Sequence, residues 1–146
     1  MSRHDPALFD LERYPFRTEL FPRFGDLDSF RHVNNAAMAS FLEDARARFN
    51  RASGFVAKPP EFGMVVASMT IDFLCEAGYP APLTIGTALA EVGRTSFVKR
   101  QLVVQDGRPM ALGRAVMVNV ADGAKVPFTE ERRASFAPWL WVGEPP

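Results

Sequence analysis

Arg23-Phe24-Gly25-Asp26-Leu27-Asp28-Ser29-Phe30-Arg31-His32-Val33-Asn34-Asn35 is the stretch on which the reading of this chain turns. Before it, from Pro15, the apolar residues Phe16, Leu20 and Phe24 recur at even spacing, which predicts a strand. Pro22 has no N–H to give and assigns that strand to a sheet edge or a bulge. After it, Met38, Phe41, Leu42, Ala45, Phe49 and Ala52 fall at steps of three and four, one face of a 3.6-residue period. Asn34 or Asn35 suits the start of this helix and Gly54 its stop. Ala36, Ala37, Ala39, Ala45 and Ala47 favour helix and let neighbouring backbone come close. The quoted stretch is therefore a strand-to-helix junction carrying two carboxylates and a histidine. Such a junction can aim an acid at the electropositive start of a helix, where backbone N–H groups lack partners. A carboxylate beside free amide donors has the parts needed to polarise and attack an acyl carbonyl.

Beyond a Pro59-Pro60 loop the period changes to two. Val65, Ala67, Met69, Ile71 and Phe73 alternate with Val66, Ser68, Thr70 and Asp72. Pro80 and Pro82 break the run, and Leu83 to Val92 forms another extended segment. Gly93-Arg94-Thr95 reads as a tight connection. Val98, Arg100, Leu102 and Val104 then alternate with Phe97, Lys99, Gln101, Val103 and Gln105. Asp106-Gly107 is a hairpin signal, and the returning strand carries Met110, Leu112, Val116, Val118 and Val120 up to a second turn at Asp122-Gly123. Thr129-Glu130-Glu131 opens a short helix that Pro138 ends. One long helix and a run of antiparallel strands make an α+β layout. The division expected is a polar lead-in over 1–14 with little to bury, one domain over 15–128, and a short helix and tail over 129–146.

Composition narrows the classes. At 146 residues, 47% of them hydrophobic and 23% charged, the chain has the make-up of a single soluble domain. No apolar run approaches the roughly 20 residues that span a bilayer, and Met1 to Pro6 lacks the apolar core of a secretory signal. Cys75 is alone, which excludes an internal disulfide and a cysteine cluster for zinc and makes the cytoplasm the expected compartment. Seventeen basic residues balance seventeen acidic ones, so no overall attraction to nucleic acid arises. Arg46, Arg48 and Arg51 lie near one another, but Glu43 and Asp44 accompany them, which reads as a solvated, ion-paired helix face.

With these features in hand, the chain resembles the hotdog-fold thioesterases of the 4-hydroxybenzoyl-CoA and acyl-carrier-protein thioesterase superfamily. The likeness rests on Asp26-Leu27-Asp28, His32-Val33-Asn34-Asn35 and the Phe41-Leu42-Glu43-x-x-Arg46 helix. Met69-Thr70-Ile71-Asp72-Phe73 and Gly93-Arg94-Thr95-Ser96-Phe97 add to it. The resemblance implies a curved antiparallel sheet wrapped around the helix, subunits paired side by side as a homodimer or homotetramer, and active sites at the interface. It implies that Asp28 is the nucleophile or general base. A backbone N–H at the helix start, at Asn35 with Asn34 adjacent, would polarise the thioester carbonyl. It also implies that Arg94, Thr95, Ser96 and Lys99 or Arg100 approach the phosphates of CoA, which enters as part of an acyl-CoA or acyl-carrier-protein substrate. No metal or redox cofactor is implied. Two departures stand out. Phe30 and Arg31 replace the small, Gly or Asn residues common between acid and histidine, and Met38 stands where an aromatic is usual. Arg31 could crowd the site or bind an anionic acyl group.

Each residue also has a plainer reading. Asp28 at a helix start stabilises the dipole by about 0.3–1 kcal/mol without any chemistry. Asp26 reads better as a turn former or an arginine's partner. His32 can orient the acid or a water, or simply fix the loop. Asn34 and Asn35 are capping residues first. Glu43 pairs with Arg46 at i,i+3 as readily as it catalyses, and Thr95 and Ser96 are ordinary turn residues. Asp26, Asp28 and His32 could in principle hold a metal. Phe21, Phe24, Phe62, Met64 and Phe73 could line an acyl pocket, though apolar residues at strand spacing are usually core. No Gly-x-Ser-x-Gly elbow and no Gly-rich phosphate loop occurs. The rivals to a thioesterase are a hotdog hydratase, whose Asp-x-Asn-Pro-x-His arrangement is absent, and a non-catalytic binder of acyl thioesters.

Overall fold

The local signals become seven main elements in a computed structural model that describes residues 3–55 and 62–143. They are strand β1 (Phe16–Leu20), helix α1 (Asn35–Ser53), strands β2 (Phe62–Phe73), β3 (Leu83–Ala90), β4 (Ser96–Gln105) and β5 (Arg108–Ala121), and, after a two-residue strand β6 (Ala124–Lys125), the short helix α2 (Glu130–Ala134). The Pro59-Pro60 loop lies outside the described residues. Helix α1 begins and ends where its caps dictate. Asn34 accepts the Ala36 N–H at 2.8 Å through its side chain, and Gly54 takes the left-handed conformation at φ 74. Both Asp-Gly pairs form turns with φ positive at each residue, the geometry that matches strand twist.

The sheet runs β1-β3-β4-β5-β2 with every pairing antiparallel, and β6 folds back on β5. Helix α1 lies on one face, burying Met38, Leu42, Ala45 and Phe49. Burial of side chains the size of Leu42 and Phe49 contributes about 1.5–3 kcal/mol each. The approach is close because β5 offers Ala111, Gly113 and Ala115 beneath it. A Cβ on Gly113 would stand 3.3 Å from Leu42 Cδ1.

Register corrects four sequence expectations. On β2 the pairing shifts between Val66 and Ser68, so Ile71 and Met69 face α1 together with Val66 and Met64, and the simple alternation from Val65 to Phe73 does not hold. A one-residue bulge carries every later side chain to the other face. Phe24 is not in β1; it sits in a 3-10 turn and is 77% exposed. Arg46 does not join a solvated face but is buried, donating to Gln101 Oε1 at 2.9 Å, while Arg48 pairs with Asp44 as expected. Glu43 is exposed and acts on Arg46 through space. The lead-in, finally, buries more than its composition suggests. Tyr14 is 1% exposed against the sheet's outer face, packed with Leu8, Phe9, Leu11, Leu102, Leu112 and Trp141. It seats over Gly86, where an added Cβ would fall 2.7 Å from Tyr14 Cβ.

Candidate active site

The quoted stretch folds into a small hairpin. Leu27 bridges Val33, Asp28 N–H donates to the His32 carbonyl at 2.8 Å, and Arg31 N–H donates to the Asp28 carbonyl at 3.0 Å. Two further bonds fix it. Asn34 N–H reaches the Asp26 carbonyl and Val33 N–H the Ala77 carbonyl, each at 2.8 Å. The second ties the hairpin to the loop that follows β2.

Inside this frame the Asp28 carboxylate is oriented by backbone. Its Oδ1 accepts the Phe30 N–H at 2.8 Å and the His32 N–H at 3.1 Å. Its Oδ2 has no hydrogen-bond partner among the described residues. The chain then enters α1, where the Asn34 side chain occupies the Ala36 amide and leaves the Asn35 N–H unpaired among the described residues. That is the donor a helix start leaves open. Asp26 takes the other role weighed for it. It is buried, accepts from Arg23 N–H at 2.7 Å and from the Arg23 guanidinium at 3.2 Å, and its carboxyl is held below the usual range by those bonds. With Asp26 engaged by arginine and Asp28 by amides, no group of three His, Cys, Asp or Glu gathers as a metal site among the described residues.

His32 has a partner that its sequence surroundings do not announce. Nδ1 lies 3.2 Å from Glu76 Oε2, on the loop after β2. The carboxylate therefore stands within ion-pair reach of the imidazole ring. Glu76 stands 44 positions along the chain, and the Val33–Ala77 bond draws its loop to the hairpin.

The remaining expected residues lie elsewhere. Arg94 is exposed, and the Gly93–Ser96 turn is closed by a Gly93 N–H to Ser96 carbonyl bond of 2.7 Å. This turn sits at the end of the sheet where β3 finishes, whereas the Asp28 hairpin adjoins the end where β3 starts. Eight residues of strand separate the two ends by roughly 23 Å. Lys99 is a correction: it does not reach outward to a phosphate but is 1% exposed under α1. Its Nζ donates to Asn50 Oδ1 and lies 5.1 Å from the Phe49 ring centre. Burial, with some repulsion from Arg46, lowers its pKa to about 7. Gln101 organises the same layer, donating to the Leu42 carbonyl at 3.0 Å and Thr87 Oγ1 at 3.2 Å while accepting from Arg46.

Of the residues considered for an acyl pocket, Phe21, Phe24 and Phe73 are 62%, 77% and 50% exposed, Met64 packs into the core, and the Phe62 side chain lies outside the described residues. A cavity of about 520 Å³ opens between the end of β1 and α1, lined by Leu20, Phe21, Asp26, Phe41 and Arg48 among others. Asp28 is not among its lining residues.

Known proteins share this architecture. A thioesterase from Thermus thermophilus, solved in complex with coenzyme A and Zn, is 32% identical and superposes with a TM-score of 0.78 over 92% of this chain and 99% of that one. A predicted thioesterase from Bacillus stearothermophilus is 25% identical, with a TM-score of 0.78 over 90% of this chain and 98% of that one. The uncharacterised protein YsmA of Bacillus subtilis (strain 168) is 27% identical over 123 residues, 82% of this chain and 84% of its own length. The curled antiparallel sheet around one helix is thus the hotdog fold, and the class of enzyme is a thioester hydrolase. The chain belongs to the thioesterase-like superfamily, whose model matches residues 22–140.

Proposed function

We propose that this protein is an acyl-CoA thioesterase that releases a free acid and CoA, with Asp28 as its reacting carboxylate. The observation that carries the reading is the division of labour at Asp28. Two backbone amides hold Oδ1, Oδ2 is left available, and the loop leads into a helix whose Asn35 amide is open. In this reading the thioester carbonyl oxygen accepts from the Asn35 N–H, which draws electron density from the carbonyl carbon. Oδ2 then attacks that carbon, or takes a proton from a water that does. The C–S bond breaks and the sulfur leaves as the thiolate of CoA; where Oδ2 has attacked, the acyl group stays on Asp28 as an anhydride, which a water then cleaves to the free acid and the restored carboxylate. His32, beside Glu76, is placed to accept a proton from the attacking water. CoA enters as part of the substrate, and the chemistry requires no metal or redox group. The coenzyme A held by the Thermus protein favours CoA over an acyl carrier protein as the carrier.

The site is proposed to be shared between two copies. Strand β2 ends the sheet, no strand among the described residues pairs its outer edge, and Val65, Val66, Met69 and Phe73 on it are exposed, an edge that invites another strand. Antiparallel pairing of two β2 edges reverses the second sheet. It brings that copy's Arg94–Ser96 turn toward the hairpin end of the first, where its positive charge suits CoA phosphates. We place the enzyme in the cytoplasm on its single cysteine; no helix among the described residues is long and apolar enough to cross a membrane.

Asp28→Asn tests the reading, because the amide oxygen can keep both backbone bonds while the reactive oxygen is replaced. Thiol release from a panel of acyl-CoA esters should fall by about 10²–10⁴, with the circular dichroism spectrum and oligomer unchanged. Undiminished turnover in the variant overturns the role of Asp28, and a wild type that binds every ester yet cleaves none favours the non-catalytic binder.

A further inference from the structure

Position 31 is where the Asp28 hairpin asks for glycine. The Asp28–His32 and Arg31–Asp28 backbone bonds close Ser29, Phe30 and Arg31 into a three-residue connection whose last residue must be left-handed. Arg31 takes that place with φ 65. A Cβ there is held against the following carbonyl, which is why glycine or asparagine usually occupies such a position. The loop cannot relax around it, because the Leu27–Val33 bridge and the two amide bonds to Asp28 Oδ1 hold both ends. The side chain gains nothing within the fold in return. It is exposed and makes no ion pair among the described residues; the Glu76 carboxylate lies against His32 and that of Asp26 against Arg23. A guanidinium is thus presented from a fixed backbone position, three residues from Asp28 and one from His32, next in the chain to Phe30, whose ring is 79% exposed.

We infer that Arg31 determines the substrate specificity of this site by receiving an anionic group of the thioester, through the bidentate fork a guanidinium offers to phosphate or carboxylate. The inference rests on the thioesterase reading of Asp28. The anion is either a CoA phosphate or a carboxylate on the acyl chain, and one experiment separates them. Arg31→Asn keeps a residue that tolerates the left-handed backbone and removes the charge. Arg31→Lys keeps a charge without the fork. Both are compared with wild type on a neutral acyl-CoA, on the N-acetylcysteamine thioester of the same acid, and on the N-acetylcysteamine thioester of a dicarboxylic acid. KM for the charged substrate should rise about tenfold more than KM for the neutral N-acetylcysteamine ester in Arg31→Asn, with kcat nearly level and partial rescue in Arg31→Lys. A differential loss on the CoA ester assigns the phosphate. A differential loss on the dicarboxylate ester assigns the acyl carboxylate. Equal effects on all three esters overturn the inference. If wild type cleaves none of them, the hydrolase reading is what fails. Arg31 is then judged by equilibrium binding of the same esters, where equal Kd values in wild type and Arg31→Asn overturn it. In parallel, Arg31→Gly should raise Tm by about 2–4 °C; a lower Tm removes the premise of strain.

Discussion

Replacing Lys99 by methionine should stabilise this protein at neutral pH and flatten its response to alkali. The ammonium is enclosed by Phe49, Asn50, Leu89 and Ala115 beneath α1, and the Arg46 guanidinium in the same layer repels it. Burial first and Arg46 second take the pKa from its ordinary 10.5 to about 7. Lys99 is a base whose folded pKa lies below its unfolded value, so the unfolded chain binds the extra proton. The cost to folding is complete below pH 7 and disappears as pH rises toward 10.5. Within that window stability climbs by up to about 1.4 kcal/mol per pH unit, which makes the cost about 4 kcal/mol at pH 7 and about 2 kcal/mol at pH 9. Methionine removes that cost but leaves Asn50 Oδ1 without its donor, a loss of about 1–3 kcal/mol. The net gain at pH 7 is about 1–3 kcal/mol. Urea unfolding at pH 7 and pH 9, followed by the fluorescence of Trp139 and Trp141, gives the comparison. Wild type should gain about 2 kcal/mol more than Lys99→Met over this interval. The upper limit stays at pH 9 because Tyr14, pushed up to about 12 by burial, destabilises the fold as pH rises from 10 toward 12. Identical pH increments in the two proteins would refute the buried-ammonium reasoning, since other titrating groups are common to both.

Two other substitutions probe the packing and the assembly. Gly86→Ala should cost about 1–3 kcal/mol, a fall of roughly 3–10 °C in Tm, because the new Cβ meets Tyr14 Cβ at 2.7 Å and Leu11 Cδ1 at 2.9 Å; an unchanged Tm by calorimetry would show that the lead-in is not seated there. Val66→Asp, on the exposed edge of β2, should convert the proposed dimer to a monomer by light scattering and abolish thioester cleavage, with the circular dichroism spectrum retained. A fully active monomer would refute the shared site, and a persistent dimer would refute β2 as its interface.

The features legible in the sequence are those that neighbouring residues decide among themselves. Asn34 and Gly54 bound α1, because a side-chain oxygen satisfies an amide two residues away and glycine accepts φ 74. Asp106-Gly107 and Asp122-Gly123 turn the chain for the same local reason. Asp28 and the Asn35 amide could likewise be placed at one junction, since a few residues of chain link them.

Side chains that meet across strands were not legible. The slip between Val66 and Ser68 reverses the faces of half of β2, and no periodicity within β2 announces it. Arg46 and Lys99 look solvent-bound in a string of letters. They lie inside because Gly113 and Ala115, in register with Gln101 and Lys99, leave room for long cations and Gln101 and Asn50 supply their acceptors. Glu76 reaches His32 only because β2 returns the chain to the hairpin. Amino-acid order alone therefore determined the junction, the turns and the loop that carries Asp28, the acid proposed to react. Tertiary structure decided which charges are buried, which face each strand presents and which carboxylate stands beside the histidine. Those outcomes depend on the registry of segments far apart in the chain, where a shift of one residue exchanges inside for outside.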